Sequence, residues 1–313
     1  MLAFLLRRVA ATVPVLLMVA VVVFAILRFS PGDPAVVMAG DAATPERIAQ
    51  IRAVMGLDQP VLQQFFSWIW RLVRGDMGTS LISGAPVSTL IAGRIGPTVS
   101  LALTTLLITL VIAIPLGALA AWRQGRLLDR AVMGLSVLGF SVPVFVTGYV
   151  LIWIFAIELK WFSVQGYVPL AQGVWPFLQR LLLPAVGLAT VYIALIARIT
   201  RTSLVEVMHE DFIRTARAKG RGDFDVLWAH ALRNAAVPIV TVIGVGIAML
   251  ISGVVVTESV FNIPGLGRLV VEAVSARDYP VIQGLTLCFA LVYVFLNLLV
   301  DAAYTVFDPR IRV

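Results

Sequence analysis

A basic stretch between long apolar segments is the feature that most restricts how this chain can fold. Residues 198–234 hold seven of the 24 lysines and arginines, and long hydrophobic segments lie on both sides of them. Charged side chains are costly in the hydrocarbon core of a bilayer, so this stretch must form a loop with its own helices at the membrane surface. Its size makes it a candidate docking surface.

The composition places the whole chain in a membrane. Of its 313 residues, 60% are hydrophobic and 13% are charged, whereas an average soluble domain has roughly 25% charged residues. Apolar segments of this length can cross a ~30 Å hydrocarbon core as helices, with Pro115 and Pro143 expected to kink two of them. The six predicted spans lie at about 9–28, 97–121, 131–157, 181–200, 235–256 and 285–306.

The distribution of basic residues predicts that both termini are cytoplasmic. With the N-terminus inside, fourteen of the 24 basic residues fall in cytoplasmic segments and four in the two short outer loops. The other six lie in the long outer segment, to which the positive-inside rule gives little weight. The net charge of +7 therefore reflects residues that flank apolar spans and does not indicate nucleic-acid binding.

The apolar segments divide the chain into four parts. Residues 1–29 form an N-terminal transmembrane helix and residues 30–96 a small extracytoplasmic helical subdomain. Residues 97–306 form a five-helix core that contains the cytoplasmic loop 201–234, and residues 307–313 form a cytoplasmic tail.

The subdomain 30–96 carries clear helix signals. Thr44 is the predicted N-cap of a first helix, Pro45 its first residue and Gly56 its left-handed end, and a second helix is expected to start at Pro60. A turn is predicted at 75–78. This subdomain either packs on the helix bundle as a lid or also contacts a soluble partner.

Neither a catalytic nor a nucleotide-binding constellation is present in the sequence. A P-loop needs a Gly-Lys pair, but Lys160 and Lys219 follow a leucine and an alanine. No group of cysteines and histidines has metal-ligand spacing. Cys288 lies in an apolar run and is expected to be an inert packing residue. We therefore predict no cofactor, no metal and no enzymatic activity for this chain.

Within the basic loop, residues 206–220 are predicted to form a helix that Gly220 ends in the left-handed conformation. Arg214, Arg217 and Arg221 should fall on one face of it, at helical spacing. This arrangement is typical of a charged surface helix.

Two interpretations of this helix are open on physical grounds. Ala216 and Gly220 would allow a close approach to another protein, and Phe212 and Ile213 would plug a groove in it. Alternatively, the basic face would rest on anionic lipid. A lipid-facing helix would need a larger apolar face than this one, which favours docking on a protein.

A resemblance to a known family rests on several short stretches. The run DFIRTARAKG at 211–220, followed by HALRNA at 230–235, resembles the cytoplasmic coupling loop of importer-type ABC permeases. The first permease subunit of the dipeptide/oligopeptide/nickel family is the most similar. Other matching runs follow in order along the chain: GDP at 32–34, LDQP at 57–60, GDMG at 75–78, ESVFNIPGLG at 258–267, RDYP at 277–280 and DPR at 308–310.

This resemblance implies an all-α membrane protein with six transmembrane helices. The implied fold is that of a type I ABC importer permease with a small helical extracytoplasmic insertion after helix 1. The implied function is that of a permease subunit in an ATP-driven, binding-protein-dependent importer, forming half of the path for di- or oligopeptides or a similar small solute. Nickel complexes, glutathione and opines are the alternatives as solutes. A secondary transporter and a membrane-embedded enzyme are alternatives of other classes, disfavoured by the coupling loop and by the lack of a reactive constellation.

The resemblance also implies partners and a location. The partners are a second homologous permease, two cytoplasmic ATPase subunits, a periplasmic or lipid-anchored solute-binding protein, and membrane lipid. The location is a bacterial or archaeal cytoplasmic membrane, which the chain crosses several times.

The resemblance carries the ATPase-coupling role to particular positions. The general permease signature reads Glu-Ala-Ala, three residues, Gly, nine residues and Ile-x-Leu-Pro, and this chain keeps Ala216, Gly220 and Leu232 of it. Arg214 stands where the signature has its acid, which is a feature of the peptide/nickel branch. The predicted coupling residues are Glu210, Asp211, Phe212, Arg214, Ala216, Arg217, Lys219, Gly220, His230 and Leu232.

Overall fold

The computed structural model describes residues 2–29, 34–39 and 44–307, and these ranges are built almost entirely of helices. Within them, an isolated antiparallel bridge pairs Thr79 with Pro86. The chain forms two compact units, the first made of residues 1–96 and 268–294 and the second of residues 97–267 and 295–313.

The N-terminal helices belong to the first unit, and both ends of the helix Pro45–Met55 follow the capping signals in the sequence. The Thr44 hydroxyl accepts the Arg47 amide at 3.3 Å, and Gly56 ends its helix with a φ of 67°. Both features confirm the predicted first helix of the outer subdomain. The described helices of this part are α1 (Leu2–Phe29), α2 (Pro34–Ala39), α3 (Pro45–Met55) and α4 (Val61–Val73).

Four long helices extend beyond the apolar segments that predict them, namely Val87–Trp122, Val174–Val207, Ala236–Val260 and Tyr279–Phe307. The helix expected to start at residue 97 begins at Val87, so residues 87–96, assigned above to the outer subdomain, are its first turns. The described helices are α5 (Val87–Trp122), α6 (Leu127–Ser141), α7 (Val144–Leu151), α8 (Val174–Val207), α9 (Asp211–Ala218), α10 (Asp223–Asp225), α11 (Leu232–Asn234), α12 (Ala236–Val260), α13 (Leu266–Ser275) and α14 (Tyr279–Phe307). Segments Ile152–Glu158 and Val226–Ala231 are π-helical.

Helix length and hydropathy identify the candidate membrane spans. Among the described residues, α5, α8, α12 and α14 are each long and apolar enough to cross a membrane, and the pair α6–α7 would add a fifth span. The predicted kink at Pro143 is in fact a break of 102° between α6 and α7 with its π-helical extension. Val142, just before the proline, is extended at φ −91° and ψ 121°, because the proline ring disfavours helical geometry in the preceding residue.

In the first unit, a buried carboxylate holds the turn that precedes α5. Asp278 is 4% exposed, and its carboxylate accepts hydrogen bonds from the Ser80 hydroxyl and from the Leu81 amide. The Leu81 bond is 3.1 Å long. Residues about 200 positions apart in the sequence are thereby joined, which ties the start of α14 to the segment before α5.

In the second unit, α8 packs against α6, α7 and α12. Its buried residues include Leu188, Ile196 and Ala197. Gly117 of α5 lies against it so closely that a β-carbon at this position would stand 2.6 Å from the Ala197 carbonyl oxygen. Small residues permit such close helix approach inside a membrane protein.

Replacement of Gly117 by alanine should therefore destabilise the protein. The added methyl group would meet backbone, which cannot move aside as a flexible side chain would, and overpacking of this kind costs about 1–3 kcal/mol. We expect a lower apparent melting temperature for purified Gly117→Ala in detergent.

Gly93, on the same helix, is the matched control, since a β-carbon there would meet nothing within 4 Å. Gly93→Ala should melt at or above the wild-type temperature, because alanine has the higher helix propensity. Equal melting temperatures for the two variants would show that the α5–α8 contact is not tight.

Candidate functional site

The short helix α9 in the basic loop is anchored to its own unit by one side chain. Ile213 is fully buried and packs in a cluster with Leu204, Val226 and Leu227. The prediction that Ile213 plugs a groove of a partner is therefore wrong, because its apolar surface is already covered by the chain itself. Phe212, the neighbouring aromatic residue, is 40% exposed and remains available to a partner.

The C-terminal end of α9 is a complete Schellman motif. Gly220 has a φ of 81°, its amide donates to the Arg217 carbonyl at 2.9 Å, and the Arg221 amide donates to the Ala216 carbonyl at 3.3 Å. Glycine suits this position because it adopts the left-handed conformation without steric cost. The predicted role of Gly220 as the helix end is confirmed.

Three arginines of the loop are paired with acids. Arg214 lies 3.2 Å from Asp211, Arg217 lies 3.2 Å from Asp223, and Arg221 lies 2.9 Å from Asp225. All these side chains are at least 42% exposed, so each pair contributes at most about 1 kcal/mol to stability. The predicted basic face is thus a surface of alternating charge, which weakens the case for binding to anionic lipid.

The structure divides the predicted coupling residues into a half-buried group and an exposed group. Ala216 and Leu232 are half-buried against the Ile213 cluster, so the expected small-residue face of Ala216 and Gly220 is only partly open. His230 is half-buried in a π-helical turn, where its carbonyl accepts the Asn234 side chain at 2.7 Å. The exposed group is Glu210, Asp211, Phe212, Arg214, Arg217, Lys219 and Gly220.

At the start of the loop, a buried aspartate binds an arginine and a backbone amide, an arrangement that the sequence analysis does not predict; we call it the carboxylate clamp. Arg201, in the last turns of α8, donates a hydrogen bond to each carboxylate oxygen of Asp129 in α6, at 3.0 and 2.8 Å. The Gly125 amide donates to the same carboxylate at 2.9 Å. Asp129 is 4% exposed, and fork-shaped bidentate pairs are the stronger and more directional kind. This clamp fixes the orientation of the helix from which the loop departs.

A second buried carboxyl group was also missed. Glu258, near the end of α12, is fully buried and accepts a 2.6 Å hydrogen bond from the Thr98 hydroxyl, which in turn accepts the Leu266 amide at 2.8 Å. A β-carbon at Gly265 would stand 2.0 Å from a carboxylate oxygen of Glu258. The only signal in the sequence was an acid at the end of an apolar span, followed closely by Pro-Gly-Leu-Gly.

The first unit carries a separate surface feature, an open cleft of about 180 Å³. Arg94 and Glu272 form a 2.8 Å ion pair at this cleft, and Arg268 also binds Glu272 at 2.8 Å. Other lining residues are Ser83, Leu90 and Leu269. The cleft combines apolar walls with a partly exposed charge network, which is a suitable surface for a protein partner.

Two family models together match almost the entire chain. The model of the "binding-protein-dependent transport system inner membrane component" matches residues 113–313, and the model of the N-terminal part of this membrane component matches residues 1–102.

Curated relatives match over full length. A protein of Sinorhizobium fredii named as a peptide ABC transporter permease is 50% identical over 309 residues, which are 99% of each chain. A protein of Brucella abortus named as a peptide transport system permease is 45% identical over 312 residues, 100% of this chain and 99% of the relative. A glutathione transport system permease of Salmonella typhi is 42% identical over the same shares.

Among solved structures, the inward-facing MetNI methionine ABC transporter contains a similar chain. The TM-score is 0.60 at 16% sequence identity, and the match covers 71% of this chain and 97% of that one. At this identity the likeness concerns the fold, which is that of a type I ABC importer permease.

Proposed function

This chain belongs to the family of inner-membrane components of binding-protein-dependent transport systems, and from that premise we propose that it forms half of the translocation path of an ATP-driven importer for di- or oligopeptides. It is a multi-pass membrane permease, not an enzyme, and ATP hydrolysis belongs to separate subunits. The observation that carries the proposal is α9, an eight-residue helix held to its own unit by buried Ile213 while its charged face stays exposed.

The names of the relatives support the proposed solute. Two of those described above are named for peptide transport, at 50% and 45% identity. A third is named for glutathione, itself a small peptide, at 42% identity, which makes glutathione the second candidate. Nickel complexes and opines have no comparable support among these relatives.

The proposed topology has six spans with both termini in the cytoplasm. The spans are α1, α5, the bent pair α6–α7, α8, α12 and α14. The charge distribution supports this orientation, since the basic loop between α8 and α12 must then be cytoplasmic. The segments 30–96 and 258–280 face outward, and we propose them as the surfaces that contact the binding protein, in line with the charged cleft around Glu272.

Thiol labelling tests this orientation. In a Cys288→Ser background, cysteines replace Ser83 and Gly222, both exposed at the surface. A membrane-impermeant maleimide should label the residue-83 variant in intact cells and the residue-222 variant only after the membrane is opened. Labelling of both variants in intact cells would contradict the proposed topology.

The coupling role of α9 rests on its exposed residues and on its cap. We propose that Asp211, Phe212, Arg214 and Lys219 contact an ATPase subunit. The buried side of the helix has a different role: it holds α9 against its own unit through Ile213, Ala216 and Leu232. Motion of the ATPases would then pass through the Ile213 cluster into α8 and α12, the helices that flank the loop.

Substitution of Gly220 should disturb this docking. A leucine would be strained in the left-handed conformation, at a cost of about 1–2 kcal/mol, so the end of α9 should rearrange. We expect Gly220→Leu to reach the membrane in normal amounts but to co-purify less ATPase.

Gly220→Asn is the matched control, because asparagine tolerates the left-handed conformation and space around the position is open. It should retain ATPase association close to wild type. Full co-purification of the ATPases with Gly220→Leu would show that the geometry of this helix end does not matter for docking.

Reconstitution in proteoliposomes tests the function as a whole. The purified chain alone should neither hydrolyse ATP nor accumulate solute. Together with the second permease, two ATPases and the binding protein, it should hydrolyse ATP faster when liganded binding protein is added, because this partner favours one conformation of the permease. Uptake of a labelled dipeptide should require ATP and all components; uptake by the permeases alone would instead indicate a secondary transporter.

A further inference from the structure

Helix α4 in the outer subdomain has an apolar stripe that its own unit leaves uncovered. Leu62, Phe66, Trp70 and Val73 lie on one side of this 13-residue helix and are 73%, 66%, 58% and 75% exposed. At about 100° per residue they occupy one continuous sector of the helix surface. Side chains of this size are seldom left together in water.

A neighbouring sector of α4 packs on α1. The ring of Phe65 lies 5.3 Å from that of Phe24, and the ring of Trp68 lies 5.8 Å from it, centroid to centroid. Trp68 is buried. This contact fixes α4 against the outer part of α1, the helix whose exposed side chains include Leu17, Met18 and Val21.

The third sector of α4 is polar. It carries Gln63, Ser67 and Arg71, with Arg74 one residue past the helix end, and the helix contains no acidic residue. The Arg74 guanidinium lies 4.5 Å from the centre of the Trp70 ring, at the border between the polar and the exposed apolar sectors. The helix surface is thus divided into a protein-facing, an apolar and a cationic sector of roughly equal width.

We propose that α4 lies flat in the outer interface of the phospholipid bilayer, with Leu62, Phe66, Trp70 and Val73 among the acyl chains and Arg71 and Arg74 at the phosphate groups. The proposal rests on the proposed function to the extent that α1 must cross the membrane. A helix that lies at the membrane surface beside a spanning helix contacts protein on one side, lipid below and water above. The three sectors of α4 follow one another around the helix in this order. Tryptophan, phenylalanine and leucine on the buried face, with arginine on the other, are typical of interfacial helices.

The depth of the contact agrees with this placement. Phe24, where α4 packs, precedes Arg28 by four residues, or about 6 Å along the axis of α1. Arg28 is the first charged residue after the apolar segment of α1, so its position marks the outer boundary of the hydrocarbon. Interfacial helices bury their apolar faces about 5–10 Å into this region.

Quenching by lipids with brominated acyl chains tests the proposal. The full chain, in a Cys288→Ser background, is reconstituted with its partner subunits into phosphatidylcholine–phosphatidylglycerol nanodiscs. A bimane fluorophore is attached to cysteines that replace Phe66, Ser67 or Met18. The label at position 66 should lose most of its emission in brominated lipid, as should the reference label at position 18 on α1, while the label at the adjacent position 67 should keep it.

Each other outcome has a distinct meaning. Quenching at position 18 without quenching at position 66 would overturn the proposal and leave the span α1 intact. Position 66 unquenched yet protected from a water-soluble maleimide would assign the stripe to a protein partner. Quenching at neither position would overturn both this proposal and the membrane-spanning role of α1, whereas the coupling role of α9 would be unaffected.

Discussion

Hydrocarbon offers no hydrogen-bond partner to a peptide group, and the architecture of this protein depends on that constraint. Every backbone donor and acceptor inside the bilayer must be satisfied within the chain, which makes helices the available form for the apolar segments. Four helices of the described residues and the bent pair α6–α7 have the length and hydropathy to satisfy it. Charged residues are consequently concentrated where the chain returns to water, as in the loop that contains α9.

Two carboxylates buried between helices of the second unit are held by specific partners. Asp129 is bound by both nitrogens of an arginine fork and by a backbone amide, and Glu258 is enclosed by a threonine hydroxyl and two glycines. In a medium of low dielectric constant such groups are costly when unpaired and directional when paired. They therefore set the mutual orientation of helices whose apolar surfaces alone would allow many arrangements.

The short helix α9 is held in place by contacts outside itself. It has eight residues and would not be stable alone. One buried isoleucine, a left-handed glycine and short ion pairs hold it at the surface of its unit. The anchoring cluster includes Leu204 of α8 and Ile239 of α12, so displacement of α9 would disturb side chains that both helices contribute. Helix α4 of the first unit is held in the same way, with one sector anchored on α1 and another left for its surroundings.

Much of this could be predicted from local sequence signals. Hydropathy located α5, α8, α12, α14 and the bent pair α6–α7, although α5 begins ten residues before its predicted span. Capping residues located α3 and the turn after α4, and glycine located the end of α9. All of these signals depend on neighbours within a few positions. The family resemblance was confirmed over almost the full length of the chain. The break at Pro143 was underestimated, because proline predicts a disturbed helix and not the size of the bend.

Only the tertiary structure decided which side of each helix is occupied. Ile213 and Phe212 are adjacent and equally apolar in the sequence, yet one is buried in its own unit and the other is open to a partner. The partners of Asp129 and Glu258 lie 72 and 160 residues away, so no local pattern could identify them. The sequence by itself determined which segments leave water and where helices end, because these properties depend on hydrophobicity and local backbone preference. The pairing of charges and the division of helix surfaces were decided by the tertiary structure, because they depend on contacts between distant segments.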